Sequence, residues 1–352
     1  MNMKRLTALF LCLALLFTCG CMSRVQRRYR AQFLTLFDTV TTITGYAENE
    51  AQFTQLAEKL RAKLEEYHQL YDIYHDYEGV NNIKTINDNA GVVPVQVDRR
   101  IIELLKLMIE RNRQTGGAVN VAMGAVLSIW HDYREAGLND PENAQLPPME
   151  LLREAAGHTD IADIVIDETA STVYLKDPLM RLDVGSTAKG YATEQVALYA
   201  KSLGAASLII SVGGNVRTVG AKLEADSKGD TRWNIGIQNP DKASAQTEIL
   251  HVLVNDAAIV SSGIYERYYV VDGVRYSHII DPNTLMPSTN YLQVTILCGD
   301  SGTADSLSTA VFNLPLAEGK RLLASMDGVE AAWVLPDGGI EYTSGFSAYL
   351  KD

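Results

Sequence analysis

The segment Leu182-Asp183-Val184-Gly185-Ser186-Thr187-Ala188-Lys189-Gly190-Tyr191 sets an acidic residue at a strand end, then a small-residue turn, then a lysine that opens a helix. Small residues let the backbone approach a phosphate, a helix start presents unpaired N–H groups, and Lys189 adds a full charge. The spacing of its glycines excludes a Walker loop. Taken alone, a tight strand-to-helix turn with Ser186 or Thr187 as N-cap is the commoner outcome for such a sequence.

Three other constellations carry polar chemistry. Ser211-Val212-Gly213-Gly214-Asn215 follows the apolar Leu208-Ile209-Ile210, so its glycines sit at a strand end, as an anion-binding nest or a plain turn. Ser261-Ser262-Gly263 and Tyr265-Glu266-Arg267-Tyr268 lead into Ser277-His278-Ile279-Ile280-Asp281-Pro282. There His278 could orient a hydroxyl, take a proton or touch a phosphate, although a lone histidine is more often structural. Thr303-Ala304-Asp305-Ser306-Leu307-Ser308-Thr309 puts Asp305 and Thr309 on one helical face. A carboxylate and a hydroxyl are hard oxygen ligands of the kind Mg²⁺ takes. The plainer alternative is a carboxylate facing the helix dipole, worth about 0.3–1 kcal/mol.

The elements that must hold these residues follow from periodicity. Phe33 to Tyr46 reads as a strand. Ala51 to Tyr71 and Arg99 to Gln114 carry apolar residues at helical spacing, the second stopping at Gly116-Gly117. Leu138 to Met149, with its prolines, reads as loop, and helices recur at Ala188 to Ser202 and Ala304 to Phe312. Hairpins are expected at 164–175, across Asp272-Gly273, and across Pro336-Asp337-Gly338-Gly339. Helices mixed with antiparallel hairpins give an α+β fold, antiparallel sheets with packed helices, not a doubly wound sheet.

A basic start, Lys4-Arg5, precedes an apolar run from Leu6 to Phe17 and then Cys19 and Cys21, the layout of a signal peptide over residues 1–21. The run falls short of the roughly 20 apolar residues of a spanning helix. Gly20-Cys21 looks like a bacterial lipoprotein site with Cys21 lipidated, Cys19 being the weaker acceptor, and the arginines beyond form a basic tether over 22–32. Location on the extracytoplasmic face of the cell membrane follows as an expectation. Of four cysteines only Cys298 lies beyond the leader, so the mature chain has no internal disulfide. A net charge of -12 argues against a nucleic-acid partner, and an anionic ligand would need local positive charge from a metal, a lysine or backbone N–H groups.

Together and in this order, these pieces resemble the ApbE family, the FAD:protein FMN transferases once described as thiamine-biosynthesis lipoproteins. The resemblance runs from Phe37-Asp38-Thr39 to the last hairpin and implies one large ApbE-like (T-fold-like) domain over 33–352. It implies Mg²⁺ held by Asp305, Thr309 and the Ser186 carbonyl. It implies FAD as substrate, lying across Gly213-Gly214-Asn215 and His278-Ile279, with Asp183 and Lys189 at the nucleotide. Phe37 matches an early apolar contact and Ala118-Val119-Asn120 a segment that usually reads Ala-Phe-Asp, while Asp72-Ile73-Tyr74 falls near another contact. Leu285 stands where the family's turn usually has glycine, which would alter that turn.

The implied reaction attaches FMN through a phosphoester to a threonine or serine of an acceptor protein, such as a membrane redox complex or an exported flavoprotein, and releases AMP. His278, Asp183 and Lys189 are the implied catalytic set. Alternatives from the same residues are an Mg²⁺-dependent FAD pyrophosphatase, with water replacing the hydroxyl, and a non-catalytic flavin-binding lipoprotein.

Overall fold

The computed structural model describes residues 26–351; the expected leader and Cys21 lie outside the described residues. The chain runs β1 (Arg27–Phe33), β2 (Thr41–Ala47), α1 (Glu50–Tyr71), α2 (Ile83–Asp88), β3 (Val95–Gln96), α3 (Arg99–Gln114), α4 (Gly124–Asn139) and α5 (Met149–Ala156). It continues through β4 (Ile164–Asp167), β5 (Thr172–Leu175), α6 (Ala188–Ser202), β6 (Leu208–Val212), β7 (Asn215–Val219), β8 (Trp233–Gln238), β9 (Glu248–Val254) and β10 (Ala258–Gly263). β11 (Tyr268–Val271), β12 (Val274–Ser277), β13 (Gln293–Cys298), α7 (Ser301–Asn313), α8 (Leu316–Ala324), β14 (Glu330–Val334) and β15 (Ile340–Tyr342) complete it.

Eight strands pair antiparallel in the order β1-β2-β6-β7-β10-β13-β14-β15. Side chains alternate across a strand, so a sheet covered on both faces needs apolar residues at both parities. β13 and β14 supply them. Val294, Ile296, Ala331 and Trp333 join α7 and α8 in one core, while Leu297 and Ala332 join the β8–β9 hairpin in another. Helices therefore cover one face and a hairpin the other, the α+β arrangement expected from the sequence.

On the helical face α1 buries Phe53, Leu60, Leu64, Tyr67 and Tyr71, and the Asn49 side chain caps it by accepting from Gln52 N at 3.0 Å. Gly116 and Gly117 end the helical region after α3 at φ of 61° and 88°, left-handed values that suit glycine. α6 and α7 pack at close range: a Cβ on Gly190 of α6 would fall 2.3 Å from the Ser301 carbonyl oxygen and 2.4 Å from Asp305 Cβ. No side chain larger than hydrogen fits there without separating the two helices that carry Lys189 and Asp305.

Two expectations about the start of the domain are corrected. The tether expected over 22–32 cannot extend past Gln26, because Arg27–Phe33 is an edge strand in register with β2, from Arg27 opposite Ala47 to Phe33 opposite Thr41. Its arginines disguise it, as charges on edge strands do, while Tyr29, Ala31 and Phe33 turn inward. The single strand expected over Phe33 to Tyr46 is broken by a turn at Leu36–Asp38, where Thr35, Phe37 and Asp38 have φ of 86°, 53° and 52°. The loop read over Leu138 to Met149 is shorter than expected, since α4 reaches Asn139 and α5 starts at Met149. No helix among the described residues is long and apolar enough to cross a membrane.

Candidate active site

A cleft of about 800 Å³ opens between the helical layer and the loops at the sheet's end. Phe37, Ala118, Val119, Asn120, Asp183, Ser186, Lys189, Gly213, Asn215, His278, Ile279, Asp305 and Thr309 all line it. Residues more than 260 positions apart in the chain thus meet in one cavity. Asp72, Ile73 and Tyr74 line it too.

The segment at 183–190 begins with an Asx turn, Asp183 Oδ1 accepting from Gly185 N at 2.8 Å. Thr187 takes the N-cap position of α6, but its hydroxyl caps nothing. Asp305 provides the missing cap from a different helix: its Oδ2 accepts from Gly190 N at 2.8 Å, with Asn215 Nδ2 at 3.4 Å. Oδ1 of Asp305 has no hydrogen-bond partner among the described residues. The residue is 5% exposed, and burial holds its carboxyl above the usual range, with Lys189 pulling the other way. The oxygen that lacks a protein partner opens onto the cleft, where it is available to a cation. Thr309 lies one turn farther along α7, and Ser186 faces the same cavity. Among the described residues no three His, Cys, Asp or Glu cluster as metal ligands. Any ion here would rest on one carboxylate and neutral oxygens.

Gly213 and Gly214, at φ of 53° and 89°, form the two-residue turn joining β6 to β7, with Val212 opposite Asn215. They make a hairpin turn of the plain kind, and Gly214, expected at the ligand, is not in the cleft lining. Gly213 is in the lining, and Thr39 packs closely against it: an added Cβ would sit 2.7 Å from Thr39 Oγ1. Asn120, where the resembled family has aspartate, uses its amide to brace the wall: Oδ1 accepts from Ala122 N and Nδ2 donates to Thr159 O, each at 2.9 Å. Leu285, expected to alter its turn, keeps there a backbone conformation that suits glycine. It adopts φ of 60° itself, 8% exposed, and its carbonyl accepts from Trp130 Nε1 at 2.9 Å.

His278 is anchored twice to one carbonyl: its backbone N–H donates to Arg267 O at 2.9 Å, and Nδ1 lies 3.1 Å from the same oxygen. A carbonyl only accepts, so the neutral ring carries its proton on Nδ1 and leaves Nε2 with a free lone pair. Enclosure in the cleft, then the charges of Lys189 and Arg267, hold the imidazole below its ordinary 6.5. The residue is solvent-exposed, and the neighbouring charges of Lys189 and Arg267 still favour the neutral ring. Nε2 is therefore unprotonated through the neutral range. A rate that needs this lone pair should stay level as pH falls through 6.5 and decline only below it; an acid limb centred at or above 6.5 in kcat/KM would contradict that assignment.

Sequence reasoning missed His68, Trp130, His131 and Arg134, which all line the cleft. His68 accepts from Phe37 N at 3.3 Å and holds that left-handed residue in place, its ring 5.4 Å from Phe37. The period of α1 could have suggested His68, but α4, which carries the other three, ends in a loop-like, proline-flanked stretch.

This α+β scaffold, with a buried carboxylate, cations and aromatic walls in one cleft, is built to handle a ligand that is both aromatic and anionic. The chain belongs to the ApbE family, whose model matches residues 37–333. It is 30% identical over 344 residues to the FAD:protein FMN transferase of Treponema pallidum, covering 93% of this chain and 90% of that protein. It is 32% identical over 271 residues to one from Klebsiella pneumoniae, covering 76% and 80%. Among solved structures, the ApbE protein of Thermotoga maritima matches with a TM-score of 0.78 at 28% identity, and the flavin transferase ApbE of Vibrio cholerae with 0.75 at 25%. Each alignment covers 93% of this chain and 100% of the other.

Proposed function

We infer that this chain is an FAD:protein FMN transferase that moves FMN from FAD to a threonine or serine hydroxyl of an acceptor protein and releases AMP. One observation carries the reading: Asp305, Thr309, Ser186 and Lys189 converge in a single cleft with a histidine whose Nε2 is free. The activity named for the relatives supports it.

Magnesium fits the donors. Asp305 offers an unpaired carboxylate oxygen, Thr309 a hydroxyl and Ser186 a backbone carbonyl, leaving positions for water and phosphate oxygens. A magnesium ion held by these residues would supply positive charge to the pyrophosphate and to the nonbridging oxygens of the attacked phosphorus. Lys189 adds a second positive charge at the same face, preorganised by its helix. His278 Nε2 accepts the hydrogen bond of the acceptor hydroxyl and takes its proton as the new O–P bond forms and the bond from phosphorus to AMP breaks. Phe37, Val119 and Ile279 give apolar surface for the flavin. The reading extends to location: a lipid on Cys21 would hold the enzyme at the extracytoplasmic face, within reach of membrane and exported acceptors.

The test is direct. The domain is incubated with FAD, Mg²⁺ and a purified acceptor, and the denatured acceptor is examined for flavin fluorescence. Covalent label with equimolar AMP is expected. AMP without label would make the enzyme a pyrophosphatase, and neither product would remove the enzymatic reading.

A further inference from the structure

We propose that a second groove, opening off the cleft beside His278, seats the acceptor polypeptide; this rests on the transferase reading above. The groove has a volume of about 780 Å³ and shares seven lining residues with the cleft, Tyr74, Arg134 and Arg267 among them. It then continues outward to Glu135, Leu138 and Tyr268, which the cleft does not include. None of Asp183, Ser186, Lys189, Asp305 or Thr309 lines it. A reaction that joins two substrates at one phosphorus needs a second approach to that atom. This groove reaches His278 through Arg267, whose carbonyl fixes both the amide and the ring of the histidine.

Its chemistry selects a polypeptide over a nucleotide. Asp38, Glu135 and Glu266 line it together with two arginines, and Arg134 is already engaged by His131 Nδ1 at 2.8 Å and Glu135 at 3.2 Å. A phosphate group would face three carboxylates against the single guanidinium unengaged among the described residues, that of Arg267. Between the charges lies exposed apolar surface: Tyr74 is 50% exposed, with its ring centroid 5.2 Å from that of His131, and Leu138 is 53% exposed. Tyr268 stands opposite, its ring held under the Arg275 guanidinium at 4.3 Å. Accessible aromatic and aliphatic side chains among charges of both signs are what a protein interface presents. An extended acceptor segment lying here would carry its hydroxyl inward to Nε2 of His278 while the body of the acceptor stays outside.

Leu138→Arg and Tyr268→Ala change the outer groove alone, with Leu138→Ser as a third variant should either fail to melt cooperatively. The probe is a purified exported flavoprotein that the wild-type enzyme labels on threonine. The KM for this protein should rise tenfold or more, while the Kd for FAD, read from flavin fluorescence, stays within twofold. An unchanged KM would overturn the docking assignment and leave the transferase intact. A Kd for FAD that rises in step would assign the groove to the nucleotide instead, which also overturns it. A wild-type enzyme that labels no protein removes the transferase reading itself, and the groove's role with it.

Discussion

Asp305→Asn is expected to lower the rate of FMN transfer at least about a hundredfold, the scale on which loss of one preorganised charge-stabilising group acts in an active site, while leaving the fold intact. The substitution keeps the side-chain volume, and an amide oxygen can still accept from Gly190 N–H, so the cap between α7 and α6 survives. What disappears is the negative charge on the oxygen that has no protein partner. Because burial already disfavours that charge, the neutral variant should melt no lower than the wild type in the absence of Mg²⁺. Added Mg²⁺ should raise the melting temperature of the wild type alone, since a ligand that binds only the folded state stabilises it by mass action. A variant that keeps a tenth of the activity, or that Mg²⁺ stabilises as much as the wild type, would remove Asp305 from the role assigned to it.

Arg217→Leu carries the largest expected cost in stability. Arg217 on β7 and Glu194 on α6 form a two-pronged pair, Nε to Oε2 at 2.7 Å and Nη2 to Oε1 at 3.2 Å, with side chains 4% and 6% exposed. Glu194 Oε2 also accepts from Ser301 N at 2.9 Å, at the first residue of α7. One buried carboxylate thus ties together the helix of Lys189, the strand of Asn215 and the helix of Asp305. Removing the arginine leaves it unpaired in the interior, and unfolding measured in urea should show a loss of about 3–5 kcal/mol. The double variant Arg217→Leu with Glu194→Leu should recover most of that loss, because no uncompensated charge remains. If the double variant is as unstable as the single one, packing and not charge accounts for the effect.

How far the site was legible depended on whether each signal was local. The Asp305 and Thr309 pair, the turn at Gly213-Gly214 and the helix start near Lys189 are properties of a few neighbouring residues, and period or turn chemistry exposes them. His278 could be picked out but not given a tautomer, because the carbonyl that decides it belongs to Arg267, across the β11–β12 hairpin. Glu194 and Arg217 carried no signal at all. A glutamate on a helix and an arginine on a strand read as solvated residues until the fold buries both.

By itself the sequence determined the α+β class, the strands and helices with clean periodicity, and which oxygens and nitrogens could serve a phosphate reaction, since these depend on side-chain type and spacing along one element. Only the tertiary structure decided that Gly190 is glycine for the contact of two helices, that Asp305 caps a helix other than its own, and that an arginine-studded start is an edge strand. Each of these rests on contacts between segments far apart in the chain, and which segments meet is settled by burial of the whole core, a sum that no local pattern contains.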